Sequence, residues 1–361
     1  MYPPRKPSCF VPALTPEGET SALDLSLSLP GYEDEGGHAP MAEVLANLGL
    51  ATCTTQATHL RVVPDPRAKW FTAPETFFIH HQLEPLPPDY QSSDLKMFVK
   101  LVDGWMRDWV ATGSNPFIHP RLYEAKFPSC LQIAFGTFSA YIHRTAANTE
   151  MVLRTTNDQA TALISTYEEV TSDFLSDLAV IHALLVYQMI GLFDGDIRSR
   201  YLAEERASIL AALQDRILQK TSAELVSKVS ADELCDLADM SSSPEGRLWR
   251  CWIISESIRR TWLIGRSIGA AYEGLKHGWA PCYGHVMVTS REGLWKADSA
   301  SAWLEMCVAR DVLILGRDEA EALFDNPPTE VDEFSKVMLQ TRFGKDRFLR
   351  WAGSNSTALT D

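Results

Sequence analysis

The chain has 361 residues, 45% hydrophobic and 22% charged, with a formal net charge of −14. That length and apolar content suffice for one large core or two smaller domains. The acidic balance, with no run of five or more basic residues, does not suit autonomous binding to nucleic acid or to an anionic membrane, both of which need clustered Lys and Arg.

Residues 1–91 differ in composition from the rest of the chain. They hold Gly36-Gly37, Pro85, Pro87 and Pro88, and helical periodicity in them is short and broken, so the region is expected to be largely disordered. The opening MYPPRKPSCF lacks the apolar centre of a signal peptide. Residues 21–35, SALDLSLSLPGYEDE, alternate Leu with Asp and Ser and then turn acidic, the composition of a disordered activation segment. An ordinary acidic linker shares that composition and is the commoner case. Residues 41–50 have the pattern of a short helix. Residues 70–81, WFTAPETFFIHH, are too aromatic for a solvated linker and are expected to pack on the folded part.

From Ser92 the apolar spacing becomes helical. A helix with Leu95, Phe98, Val102, Trp105, Met106 and Trp109 on its apolar side should end at Gly113. After the loop SNPFIHP, a short helix is expected at RLYEAKF, and a stronger one over 128–146. Further helices are predicted to about Val170, from Ser172 to Phe193, and from Arg198 to Lys220. The stretch 174–193 contains Asp177, His182 and Gln188, so it reads as a core helix and not as a membrane span.

Residues 246–278, GRLWRCWIISESIRRTWLIGRSIGAAYEGLKHG, form the centre of the chain. Pro244 before them and Gly278 at their end are start and stop signals. Trp249, Trp252, Ile254, Ile258, Trp262 and Ile268 fall on more than one side, so the helix is buried on most sides. Glu256 lies three and four residues before Arg259 and Arg260, within reach of both, and buried charges must be paired. An ion-pair network is therefore expected inside a helical core. Beyond it come a turn-rich loop with room for a short hairpin, a helix over 299–312, and short helices near 318–324 and 330–340. The domain is predicted to cover 92–345, with 346–361 a frayed tail.

The motifs of phosphate-binding loops, dinucleotide folds, zinc proteases and serine hydrolases are missing. His80-His81 are adjacent and point different ways. His277, Cys282 and His285 are close in sequence and could ligate zinc, but their spacing fits no known metal pattern. Lone histidines such as His143 and His182 read as hydrogen-bonded core residues. Gly265 and Gly269 read as a close helix contact. The seven cysteines show no C-x-x-C, and Cys130, Cys251 and Cys307 read as small buried hydrophobes. Glu256, Arg259 and Arg260 read as structural, with no nucleophile beside them.

Three stretches in order carry a resemblance: GSNPFIHPRLY with FPSCLQIAFGTFSAYIHRTAANTEMVLR (113–154), RLWRCWIISESIRRTWLIG (247–265) and GLWKADSASAWLE (293–305). Together, over roughly residues 95–310, they resemble the regulatory, middle-homology-like region of fungal zinc-binuclear-cluster (six-cysteine) transcription factors. The resemblance implies an all-helical regulatory domain that mediates inhibition, effector response and partner contacts, and no enzyme activity. The family's DNA-binding module needs six cysteines, whereas only Cys9 and Cys53 precede residue 130 here. Zinc ligation and base reading are therefore not carried over.

The expected protein is all-α, a large irregular helical domain built around a long buried helix near 246–277. Its expected role is that of a transcriptional regulator or co-regulator in the nucleus, controlling a metabolic or secondary-metabolite pathway. It would act through a DNA-binding factor or the transcription machinery, with self-association as a further option. No catalytic, cofactor or metal residue is assigned, no cofactor is expected, and DNA-binding residues are unknown. Two alternatives are a small-molecule-binding helical module, suggested by ten tryptophans, and an enzyme of a secondary pathway.

Overall fold

Where apolar residues recur at helical spacing, the chain folds as helices. The computed structural model describes residues 71, 73–81, 92–167, 173–227, 243–316 and 319–353. The expectations for residues 1–70, including 21–35 and 41–50, and for 354–361 lie outside them. The helices are α1 (Ser92–Thr112), α2 (Ser129–Ile142), α3 (Thr149–Thr166), α4 (Phe174–Phe193), α5 (Ile197–Ser227), α6 (Pro244–His277), α7 (Ala300–Ala309), α8 (Glu333–Phe343) and α9 (Lys345–Gly353). The described part of the fold is all-α apart from two short strands, β1 (Val288–Thr289) and β2 (Ile314–Leu315).

Capping residues set the limits of α6. Ser243 accepts from the Gly246 amide at its start. Gly278 takes a positive φ of 77° at its end and donates to Gly274 O, a conformation that glycine adopts without a Cβ penalty. Residues 251–264 are buried without a break. Around α6 pack α5, α1, α4 and α7. Helix α4 is long and apolar enough to cross a membrane, but 89% of that apolar window is buried within the domain. It is a core helix here.

Helices α4 and α5 meet at Gly191. A Cβ there would lie 2.7 Å from Ala203 Cβ and 3.2 Å from Ser199 O. The second contact is backbone and cannot rotate away. Gly191→Ala is expected to destabilise by about 1–2 kcal/mol, because overpacking outweighs the gain in helix propensity. The urea midpoint should fall with an unchanged m value. Gly269→Ala is the control. Nothing lies within 4 Å of its added Cβ, so its midpoint should hold or rise. The close helix contact read from Gly265 and Gly269 is thus made by Gly265 alone, against the Gln214 side chain of α5.

Four expectations need correction. Residues 121–127 form turns and not a helix, because Arg250 binds the carbonyls of Arg121 and Leu122. The strand after α6 makes no local hairpin: β1 pairs antiparallel with β2, Val288 opposite Leu315, across the whole of α7. The segment expected at 318–324 is a 3-10 helix, Ala322–Asp325. The chain does not fray at residue 346, since α9 runs to Gly353 and buries Trp351, whose Nε1 donates to Asn326 O.

The aromatic segment before α1 does pack on the domain. Phe71 and Phe77 are buried, and Phe71 meets Trp303 edge to face at 6.1 Å. The backbones of His80 and His285 exchange hydrogen bonds of 2.8 Å. This segment is a strap laid over α5 and α6.

Candidate functional site

The sequence put Glu256, Arg259 and Arg260 on one helix, and the fold closes a circuit around them. Glu256 Oε2 accepts from Arg259 Nη2 at 2.8 Å, and Oε1 accepts from Arg260 Nε at 2.9 Å and from the Thr289 amide at 2.8 Å. Arg260 also donates to Pro116 O (2.9 Å), Thr289 O (2.8 Å) and Asp332 Oδ2 (2.6 Å). Arg259 Nη1 reaches out to the strap, at Phe71 O (2.6 Å) and Thr76 Oγ1 (3.1 Å). Two arginines and two carboxylates balance to zero in a nearly dry place: Glu256 is 0% exposed, each arginine 1% and Asp332 5%.

Burial alone would push the Glu256 carboxyl up, but the adjacent Arg259 and Arg260 hold it below the usual carboxylate range. Burial likewise disfavours the Arg260 cation, and Asp332 and Glu256 more than offset this. The quartet joins five segments: the strap, the loop at Pro116, α6, β1 and the start of α8. Asp332 also caps α8, its Oδ1 accepting from the Ser335 amide at 2.9 Å.

Aromatic rings enclose the quartet. The Arg260 guanidinium carbon lies 4.2 Å from the Trp295 ring centroid and 4.9 Å from that of Phe334. His119 stands edge-on to Trp249, Trp252 and Trp295. Burial first, then the charges of Arg260, Arg250 and Arg121, lower its pKa to about 3. A second buried histidine, His182, bridges Tyr123 Oη (2.9 Å) and Thr261 Oγ1 (2.7 Å), and burial lowers it to about 3. Both are neutral structural residues at pH 7.

The other candidates do not converge. His277 faces Glu273 at 3.3 Å, Cys282 is exposed, and His285 is half-buried with Nδ1 on Val286 O. Among the described residues, no group of three or more His, Cys, Asp or Glu is arranged to hold a metal ion. His81 is exposed. His182 is the core residue that the sequence suggested, whereas His143 is exposed and bonds Ser139 O. Cys251 and Cys307 are buried, and burial pushes the Cys307 thiol up to about 12; Cys130 is only partly buried. The tryptophans mainly fill the core: Trp105, Trp109, Trp249, Trp252, Trp262, Trp295, Trp303 and Trp351 are buried, and Trp279 is exposed.

A cleft of about 430 Å³ opens beside the quartet, between the end of α1, the loop after it, residues 292–296 and the start of α8. Its floor includes Arg260, Asp332, Trp295 and Phe334. Sequence reasoning missed it, because its walls come from four separate stretches.

No family model matches the chain, and no solved structure matches it. Over 192 residues it is 29% identical to Transcription factor gsfR2 of Penicillium aethiopicum, a stretch covering 53% of this chain and 45% of that protein. The chain therefore contains a region similar to a fungal transcription factor, and it matches less than half of that relative's length.

Proposed function

We propose that this chain is a transcriptional regulator or co-regulator of fungal type, working in the nucleus through a protein partner. The 192-residue similarity to a fungal transcription factor carries the reading. The all-helical fold and the ordered sequence resemblance support it. So does the state of the buried charges: Glu256, Arg260 and Asp332 are engaged by fixed protein groups, as a scaffold requires and a catalytic cluster does not. The net charge of −14 favours a partner, such as a DNA-binding factor or the transcription machinery, over direct contact with phosphates. The regulated genes would serve a metabolic or secondary-metabolite pathway.

Tethering the full chain to a reporter promoter through a foreign DNA-binding domain tests this. Transcription should change, up or down, relative to that domain alone. Unchanged transcription in a fungal host, with the fusion present in the nucleus, would overturn the reading. A small-molecule-binding module is the second reading, favoured by the cleft beside Trp295.

A further inference from the structure

The strap is seated as a peptide is seated in a binding groove. Phe71, Thr76 and Phe77 are buried. Phe71 packs on Trp303 of α7, and the Arg259 guanidinium carbon lies 5.1 Å from the Phe77 ring centroid. Arg259 donates to Phe71 O and Thr76 Oγ1, and the Thr76 hydroxyl in turn donates to Ala73 O at 2.7 Å. Ser222 of α5 donates to Pro74 O at 3.5 Å. At the far end the His80–His285 backbone bridge sets the register. Gly284 beside it, at a φ of 97°, leaves room for Ile79, since a Cβ there would lie 2.4 Å from Ile79 Cγ2. Side-chain pockets combined with main-chain hydrogen bonds are how folded domains hold extended peptides.

Each of these receptor groups stands at least 148 residues along the chain from the strap residue it holds. The groove therefore selects the strap by its side chains and backbone, not by its connection to α1. Two polar atoms at this seam are buried without a partner: Nε of Arg259 and Nε2 of His80. Docking takes His80 Nε2 from water and returns no hydrogen bond, which offsets part of what Phe71 and Phe77 contribute. Phe78, 51% exposed, adds little. The strap is thus held less firmly than the core helices. Ten residues, 82–91, separate it from α1, and a stretch of that length reaches at most roughly 35 Å.

We propose that this groove, formed by α5, α6, α7 and residues 284–285, is a self-association surface at which two copies of the chain exchange straps. The sequence that the groove fits is the strap itself, and a second copy supplies it by identity. The exchanged dimer keeps every contact described above, and its two junctions are equivalent. Because the contacts are the same in both arrangements, protein concentration decides whether a strap lies in its own groove or in its neighbour's. This goes beyond the regulator reading and does not rest on it, so its failure leaves the reporter result standing.

A fluorescent peptide of residues 68–83 is the probe, titrated into the full chain and followed by anisotropy. In the Phe71→Ala/Phe77→Ala chain the resident strap no longer competes, so the peptide should bind that variant at least about tenfold more tightly than wild type. A peptide carrying both Ala substitutions should bind neither chain. In sedimentation the wild-type chain should form dimer as its concentration rises to hundreds of micromolar, roughly the range set by competition with a tethered strap. The unaltered peptide should dissociate that dimer and the Ala peptide should not, a comparison that needs no variant chain to fold. The double variant should stay monomeric over the same range. The proposal is overturned if the peptide binds both chains equally or neither, if the wild type remains monomeric to millimolar concentration, if the peptide leaves the dimer intact, or if the double variant dimerises as wild type does.

Discussion

Glu256→Gln is expected to bring the domain to the edge of unfolding. The substitution removes one negative charge from a quartet of two cations and two anions and leaves a net positive charge in the core. It also sets an amide group against one of the two arginines. Removing one partner of a buried pair costs about 3–5 kcal/mol, a large fraction of the roughly 5–15 kcal/mol that holds a domain folded. Urea denaturation followed by tryptophan fluorescence should show a large fall in midpoint. Glu150→Gln, which breaks an exposed pair with Arg154, should leave the midpoint within error. A Glu256→Gln midpoint close to wild type would mean that the quartet does not organise the core. Because Arg259 also holds the carbonyl of Phe71, the strap should become accessible to protease in the same variant.

Stability should also fall steeply as the pH drops below about 6.5. Burial, with help from neighbouring cations in two cases, lowers His119 to about 3, His182 to about 3 and His285 to about 4. In the unfolded chain these histidines titrate near 6.5. Above that pH both states are neutral at these positions and nothing changes. Below it, the unfolded state takes up protons that the folded state refuses, so the equilibrium shifts toward unfolding. Each histidine contributes a slope of up to about 1.4 kcal/mol per pH unit until its folded pKa is reached.

Glu256 extends the loss at lower pH. Its folded pKa is depressed, so its contribution is present above the ordinary carboxylate value and disappears as the pH falls through the folded one. Denaturation midpoints at pH 7.5 and 5.5 should differ clearly. His182→Gln keeps a donor and an acceptor for Tyr123 and Thr261, and it should remove about a third of the slope. Equal midpoints at the two pH values would contradict the burial of these rings.

The heart of the quartet was legible because one helix carries it. Glu256, Arg259 and Arg260 sit at i, i+3 and i+4 within an apolar run, and helical geometry alone brings them together. Asp332 was not legible: it lies 72 residues from Arg260 in the chain and reads locally as a helix cap. The carbonyls of Phe71, Pro116 and Thr289 were hidden for the same reason, since every residue has one and only the fold selects among them. The strap was visible in its aromatic residues, but its anchoring by Arg259 was not. RLYEAKF has helical composition, yet Arg250 binds its carbonyls from another element and holds it as turns. The β1–β2 pair spans an intervening helix, so the turn residues that signal a hairpin could not mark it. The cleft depends on four segments meeting, a fact of tertiary structure alone.

The central claim is that this helical domain serves transcription through a partner. Genome-wide chromatin occupancy of the tagged full chain in its native host is the most direct test. Discrete promoter peaks over one recognisable sequence motif are expected, lost when the partner that reads that motif is removed. No enrichment over an untagged control, with the protein present in the nucleus, would contradict the claim.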